Sequence, residues 1–116
     1  MLEKLFGRKP AGAVAQLHVE ELRHKLLDKE ALQLIDVRSA EEYKHDGHIA
    51  GARLIPLPAL AHRLGEIAHT TPVVVICRSG NRSQTAATLL AQAGYSNVSN
   101  LQGGMIAWRS AGFPTS

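Results

Sequence analysis

At 116 residues with 45% hydrophobic content, the chain can bury one core and is too short for two domains of ordinary size. Its formal net charge of +3 comes from basic residues scattered along the chain rather than gathered into a stripe, so nucleic-acid binding is not expected. A single cysteine excludes an internal disulfide, and no run approaches the roughly 20 apolar residues of a membrane span. The expectation is one cytoplasmic domain over residues 14–116, behind an N-terminal tail of residues 1–13 whose apolar run is too short for a signal peptide. Lys4, Arg8 and Lys9 in that tail read as solvated.

Helix-period and strand-period segments then alternate, which is the pattern of a parallel sheet with helices on its faces. A short strand near Val14 to Leu17 leads into a helix with Val19, Leu22 and Leu26 on one side, and Gln33 to Val37 form the second strand. Ser39 starts the next helix: its hydroxyl and the Glu42 carboxylate three residues on fit a capping box, and Gly47 after His45 fits the stop. Arg53 to Ile55 make a third strand. Pro56 and Pro58 break the chain before a helix expected to turn Leu60, Leu64 and Ile67 inward, and Thr71-Pro72 reset it. Val73 to Ile76 read as a strand buried on both faces, and Ala86, Leu89, Leu90 and Ala93 recur at helical spacing afterwards. Gly94 ends that helix, Val98 to Leu101 make the last strand, and Gly103-Gly104 turn into a helix that buries Trp108.

Between the buried strand and the long helix lies C-R-S-G-N-R-S, Cys77 to Ser83. A loop at the carboxyl end of a parallel strand and the amino end of a helix is where open α/β sheets place ligand sites. Helix-start N–H groups, the helix dipole, Arg78 and Arg82 all favour an anion there, and such surroundings lower a thiol pKa from about 8.5 to roughly 3.5–7.5. Cys77 is therefore a candidate thiolate nucleophile, and the polar residues around it oppose the alternative of a small buried hydrophobe.

The loop resembles the active-site loop of the rhodanese family of sulfurtransferases. The likeness extends from about Val14 to Pro114 through four strings in the family's order: L-I-D-V-R at Leu34 to Arg38, G-H-I-A-G-A at Gly47 to Ala52, the cysteine loop, and L-Q-G-G-M-I-A-W at Leu101 to Trp108. It implies an α/β fold with a central five-stranded, mainly parallel sheet flanked by helices on both faces. It also implies that Cys77 takes a sulfane sulfur from a donor, forms a persulfide and passes it to a thiophilic acceptor. Ser79, Gly80 and Asn81 would complete the substrate cradle, with Gly80 and the short Ser79 letting successive amides converge. Arg78 would face the entrance and attract an anionic donor, and Arg82 would place its backbone in the cradle and its side chain at the rim. Asp36, Arg38 and Ser83 read as loop scaffold: Asp36 hydrogen-bonding the backbone of the catalytic loop, Arg38 pairing with Asp36, Glu41 or Glu42. The likeness assigns His48 to a turn packed under the sheet. His45 and His48, with only Asp46 between them, form a poor metal ligand set, and no cofactor is implied.

Two other functions use the same residues. Cysteine phosphatases and arsenate reductases also cradle oxyanions, but the phosphatase loop is one residue longer, whereas four residues separate Cys77 from Arg82. A carrier or sensor module would accept sulfur without rapid turnover. The loop lacks the C-G-S-G or C-G-T-G form associated with mercaptopyruvate sulfurtransferases, which favours thiosulfate or a persulfide as donor. The acceptors implied are cyanide, glutathione, thioredoxin or another protein thiol, since the chain has no second cysteine to receive sulfur.

Overall fold

The structure is a computed structural model that describes residues 13–116, so the expected tail, with Lys4, Arg8 and Lys9, lies outside the described residues apart from Ala13. Five strands form one all-parallel sheet: β1 (Ala15–Leu17), β2 (Gln33–Asp36), β3 (Arg53–Leu54), β4 (Val73–Ile76) and β5 (Val98–Leu101). Their spatial order is β1-β5-β4-β2-β3. The four α-helices among the described residues are α1 (Val19–Leu27), α2 (Ala40–His45), α3 (Asn81–Gln92) and α4 (Gly104–Ser110).

All four residues of β4 are buried because both faces of the sheet are covered, which is why the strand is a continuous apolar run rather than an alternating one. Alternation survives in where the side chains go. Val73, Val75 and then Cys77 join the core beneath α3, with Ala86, Ala87, Leu90 and Leu60. Val74 and Ile76 join the opposite core, with Leu22 of α1, Met105 and Trp108 of α4, and Ile49 of the turn after α2. Trp108 is core, its indole N–H donating to the Pro114 carbonyl at 2.9 Å.

Ser39 and Glu42 form the expected capping box at the start of α2, their side chains bonding each other's backbone N–H at 3.2 and 3.1 Å. The expected helix around Leu60 is instead two 3₁₀ turns, Leu57–His62 and Leu64–Glu66. Pro56 and Pro58 remove backbone donors at its start, and Arg63 adopts φ −120° between the turns. Leu60 and Ile67 are still buried, Leu64 only partly. Ala93 lies exposed at the C-cap of α3 rather than on its inner face.

From β2 the chain steps outward to β3, and from β4 it steps the other way to β5. The sheet's switch point therefore falls between β2 and β4, where Asp36 pairs in register with Ile76, and Cys77 follows at once.

Candidate active site

Gly80 shapes the cysteine loop. Its φ of +103° is in the left-handed region, and its N–H turns inward to donate to Cys77 Sγ at 3.0 Å. Cys77 is only 1% exposed, while Arg78 and Ser79 at the crest of the loop are exposed. Burial pushes the thiol up, but the Ser83 hydroxyl and the N–H groups of Ser83, Gly80 and Ser79 outweigh it, leaving Cys77 below the ordinary thiol value.

The loop is gripped from below by α4. Met105 and Ile106 donate their N–H groups to the carbonyls of Cys77 and Arg78 at 2.9 and 3.0 Å. With those carbonyls held outward, the following amides face the sulfur. So close an approach requires glycine at the start of α4: Gly104 sits at φ +54°, and a Cβ there would meet the Cys77 carbonyl oxygen and lie 2.6 Å from that of Arg78.

Behind the sulfur is a buried polar network. Ser83 Oγ lies 3.1 Å from Cys77 Sγ and donates to Asn100 Oδ1 at 2.5 Å. Asn100 Nδ2 in turn donates to the Gly80 carbonyl at 3.2 Å and to Gln16 Oε1 at 3.0 Å. Ser83 is fully buried and Asn100 nearly so. On the β1–β5 side of the loop is an open polar cleft of about 300 Å³, lined by Gln16, Ser79, Asn81, Gln84, Asn100 and Gln102 among others.

Two expected roles change, those of Asp36 and of the Arg82 side chain. Asp36 does not bond the loop amides: its carboxylate takes the Arg38 backbone N–H at 3.1 Å, Nε at 2.9 Å and Nη2 at 2.7 Å. Arg38 lies two residues on and can fold its guanidinium back at that distance, whereas the loop amides are turned toward the sulfur. Arg38 also donates to the Gly47 carbonyl at 2.8 Å, tying the end of β2 to the turn after α2. The Arg82 guanidinium is not a free anion ligand at the rim, since both its terminal nitrogens bond the Glu42 carboxylate at 2.7 Å. Those bonds hold Glu42 at about 2 and clamp α2 to the start of α3. His48 stacks on Tyr43 with ring centroids 3.7 Å apart, and its Nδ1 lies 2.9 Å from the Tyr43 carbonyl, so its ring serves the turn and not the thiol.

Asn100 and the contact of Gly104 with the loop were not anticipated from sequence. The signal for Asn100 was one amide in the otherwise suitable strand V-S-N-L, and for Gly104 it was the second of two successive glycines.

Fold and site together define an α/β domain built around one thiol in a loop of inward-facing amides. The chain belongs to the rhodanese-like domain family, whose model matches residues 18–111. It is 40% identical over 101 residues to a sulfurtransferase from Allochromatium vinosum, covering 87% of this chain and 94% of that one. It is 34% identical over 87 residues to the thiosulfate sulfurtransferase GlpE of Pseudoalteromonas translucida, covering 75% of this chain and 82% of the other. Among solved structures, a rhodanese-related protein from Thermoplasma volcanium superposes with a TM-score of 0.79 at 28% identity, covering 88% of this chain and 97% of that one. No helix among the described residues is long and apolar enough to cross a membrane.

Proposed function

We propose that the protein is a thiosulfate sulfurtransferase acting through a Cys77 persulfide, within one domain formed by residues 14–116. The observation that carries this is the Cys77 sulfur, lowered in pKa and held by the Gly80 amide in a loop too short by one residue for the phosphatase pattern. The Cys77 thiolate attacks the outer sulfur of thiosulfate: a new S–S bond forms, the donor's S–S bond breaks, and sulfite leaves with the electron pair. Cyanide or a thiolate then attacks the outer sulfur of the persulfide, the Cys77 S–S bond breaks, and the electron pair returns to Sγ as thiolate. The inward amides that favour the thiolate in the first step favour it again as leaving group in the second.

In this reading exposed Arg78 draws in the anionic donor, and Ser79, Gly80, Asn81 and the Arg82 backbone form the cradle. The Asp36–Arg38 pair and the Arg82–Glu42 clamp hold the elements beneath it, and Ser83 positions the sulfur. A thiol that must stay reduced suits a cytoplasmic protein, with a small thiol, thioredoxin or another protein thiol as acceptor. The test is thiocyanate formation from thiosulfate and cyanide by wild type and Cys77→Ser. Turnover lost in the variant supports the reading, while hydrolysis of an aryl phosphate that is lost in Cys77→Ser contradicts it.

A further inference from the structure

The direction of the Ser83 O–H follows from the groups around it. Asn100 Nδ2 donates to the Gly80 carbonyl, which can only accept, at 3.2 Å, and this orients the Asn100 amide. Gln16 supports the same orientation: its Nε2 donates to Gln84 Oε1 at 2.6 Å, leaving its Oε1 to accept from Asn100 at 3.0 Å. Asn100 Oδ1 therefore faces Ser83, and the single hydroxyl hydrogen of Ser83 goes to it. Toward Cys77 Sγ, 3.1 Å away, Ser83 then presents only lone pairs.

We infer that Asn100 is a positioning residue that aims the Ser83 hydroxyl away from the sulfur and thereby holds resting Cys77 as a thiol donating to Ser83. When a base in solution takes the S–H proton, Ser83 turns its O–H to the thiolate and Asn100 Oδ1 loses its donor. Thiolate formation is thus coupled to breaking a buried hydrogen bond, and the Gly80 amide remains as the sulfur's standing donor. The charged groups around the thiol lie elsewhere. They are Arg78 in the loop, Arg82 of α3 paired with Glu42 of α2, and the Asp36–Arg38 pair at the end of β2. Strand β5 carries no charge, and Arg109 of α4 is engaged by the Asp46 carbonyl.

The experiment is the rate of iodoacetamide alkylation of Cys77 against pH, which reads the thiol itself and so can fail independently of the sulfurtransferase reading. Asn100→Ala frees the Ser83 hydroxyl, and the alkylation midpoint is expected to fall by about one pH unit, a tenfold gain in thiolate below the midpoint. In a Ser83→Ala background, Asn100→Ala should shift nothing, because its effect passes through that hydroxyl. Ser83→Ala alone removes the acceptor of the thiol, which lowers the midpoint, and the hydroxyl that turns to the thiolate, which raises it, so its midpoint should rise by clearly less than one unit. An unchanged or raised midpoint in Asn100→Ala, or an equal fall with and without Ser83, which would indicate a merely loosened loop, overturns the inference. Circular dichroism checks the fold of each variant. Should Asn100→Ala not fold, Ser83→Ala decides alone: a rise of a full unit means that Ser83 donates to the sulfur at rest, and the inference falls.

Discussion

Replacing Asp36 by alanine separates support of the fold from participation in chemistry. Asp36 is fully buried, and Arg38 is 1% exposed. The carboxylate supplies the counter-charge and the partners for Nε and Nη2 of the guanidinium, leaving Arg38 only the carbonyls of Gly47 and Glu42 when it is removed. An uncompensated buried charge of this kind costs about 3–5 kcal/mol. At about 4 °C per kcal/mol for a chain of this size, the melting temperature should fall by about 12–20 °C. Because Asp36 makes no bond to the loop, kcat per folded molecule, measured well below the lowered melting temperature, should stay within about threefold of wild type. The double replacement Asp36→Leu with Arg38→Met should recover much of the loss, since a buried pair exchanged for apolar residues is often neutral. A thermal melt matched to thiocyanate formation decides the matter. A native melting temperature with abolished turnover would refute the argument and place Asp36 in the reaction.

Arg78→Ala should raise the KM for thiosulfate with little change in kcat, and flatten its dependence on ionic strength, because it removes an exposed charge and leaves the cradle intact; an unchanged KM would mark Arg78 as solvated. Gly104→Ala must adopt a left-handed conformation costing about 1–2 kcal/mol and displace the Cys77 and Arg78 carbonyls, so both melting temperature and Cys77 alkylation rate should fall, and a wild-type alkylation rate would contradict the gripping role of α4. Glu42 titrates at about 2 instead of 4.5, held down first by its bonds to Arg82. A carboxyl lowered in the folded state stabilises above its unfolded value and loses that contribution as pH falls through its folded value. The urea-measured advantage of wild type over Glu42→Gln should therefore be level above about pH 4.5 and shrink toward pH 2, staying under about 1 kcal/mol because the pair is partly exposed. An advantage undiminished at pH 2 would count against the pair as its source.

What could be read directly from the residues was local. The run Val73 to Ile76 announces a strand covered on both sides, Ser39 with Glu42 announces a helix start, and the polar string after Cys77 announces a loop rather than more strand. The departures come where local pattern and tertiary partner compete. Leu60, Leu64 and Ile67 suit an α-helix or successive 3₁₀ turns, and the prolines and the short span tip the balance to the tighter form. Asp36 at a strand end beside the loop looked able to hold loop amides, but its own neighbour Arg38 reaches it first. Arg82 and Glu42 stand 40 residues apart, and only the packing of α2 beside the start of α3 reveals the pair that engages the guanidinium expected at the rim. Asn100 carries its meaning through Ser83 and Gly80, which no periodicity places beside it.

The central claim, that Cys77 carries the sulfur, is tested most directly by intact mass after the reduced protein is mixed with thiosulfate and desalted. Wild type should gain the mass of one sulfur atom, lose it on addition of cyanide with release of thiocyanate, and do neither as Cys77→Ser. Wild-type protein that stays at its unmodified mass while turning over thiosulfate, or a sulfur gained equally by Cys77→Ser, would contradict the persulfide account.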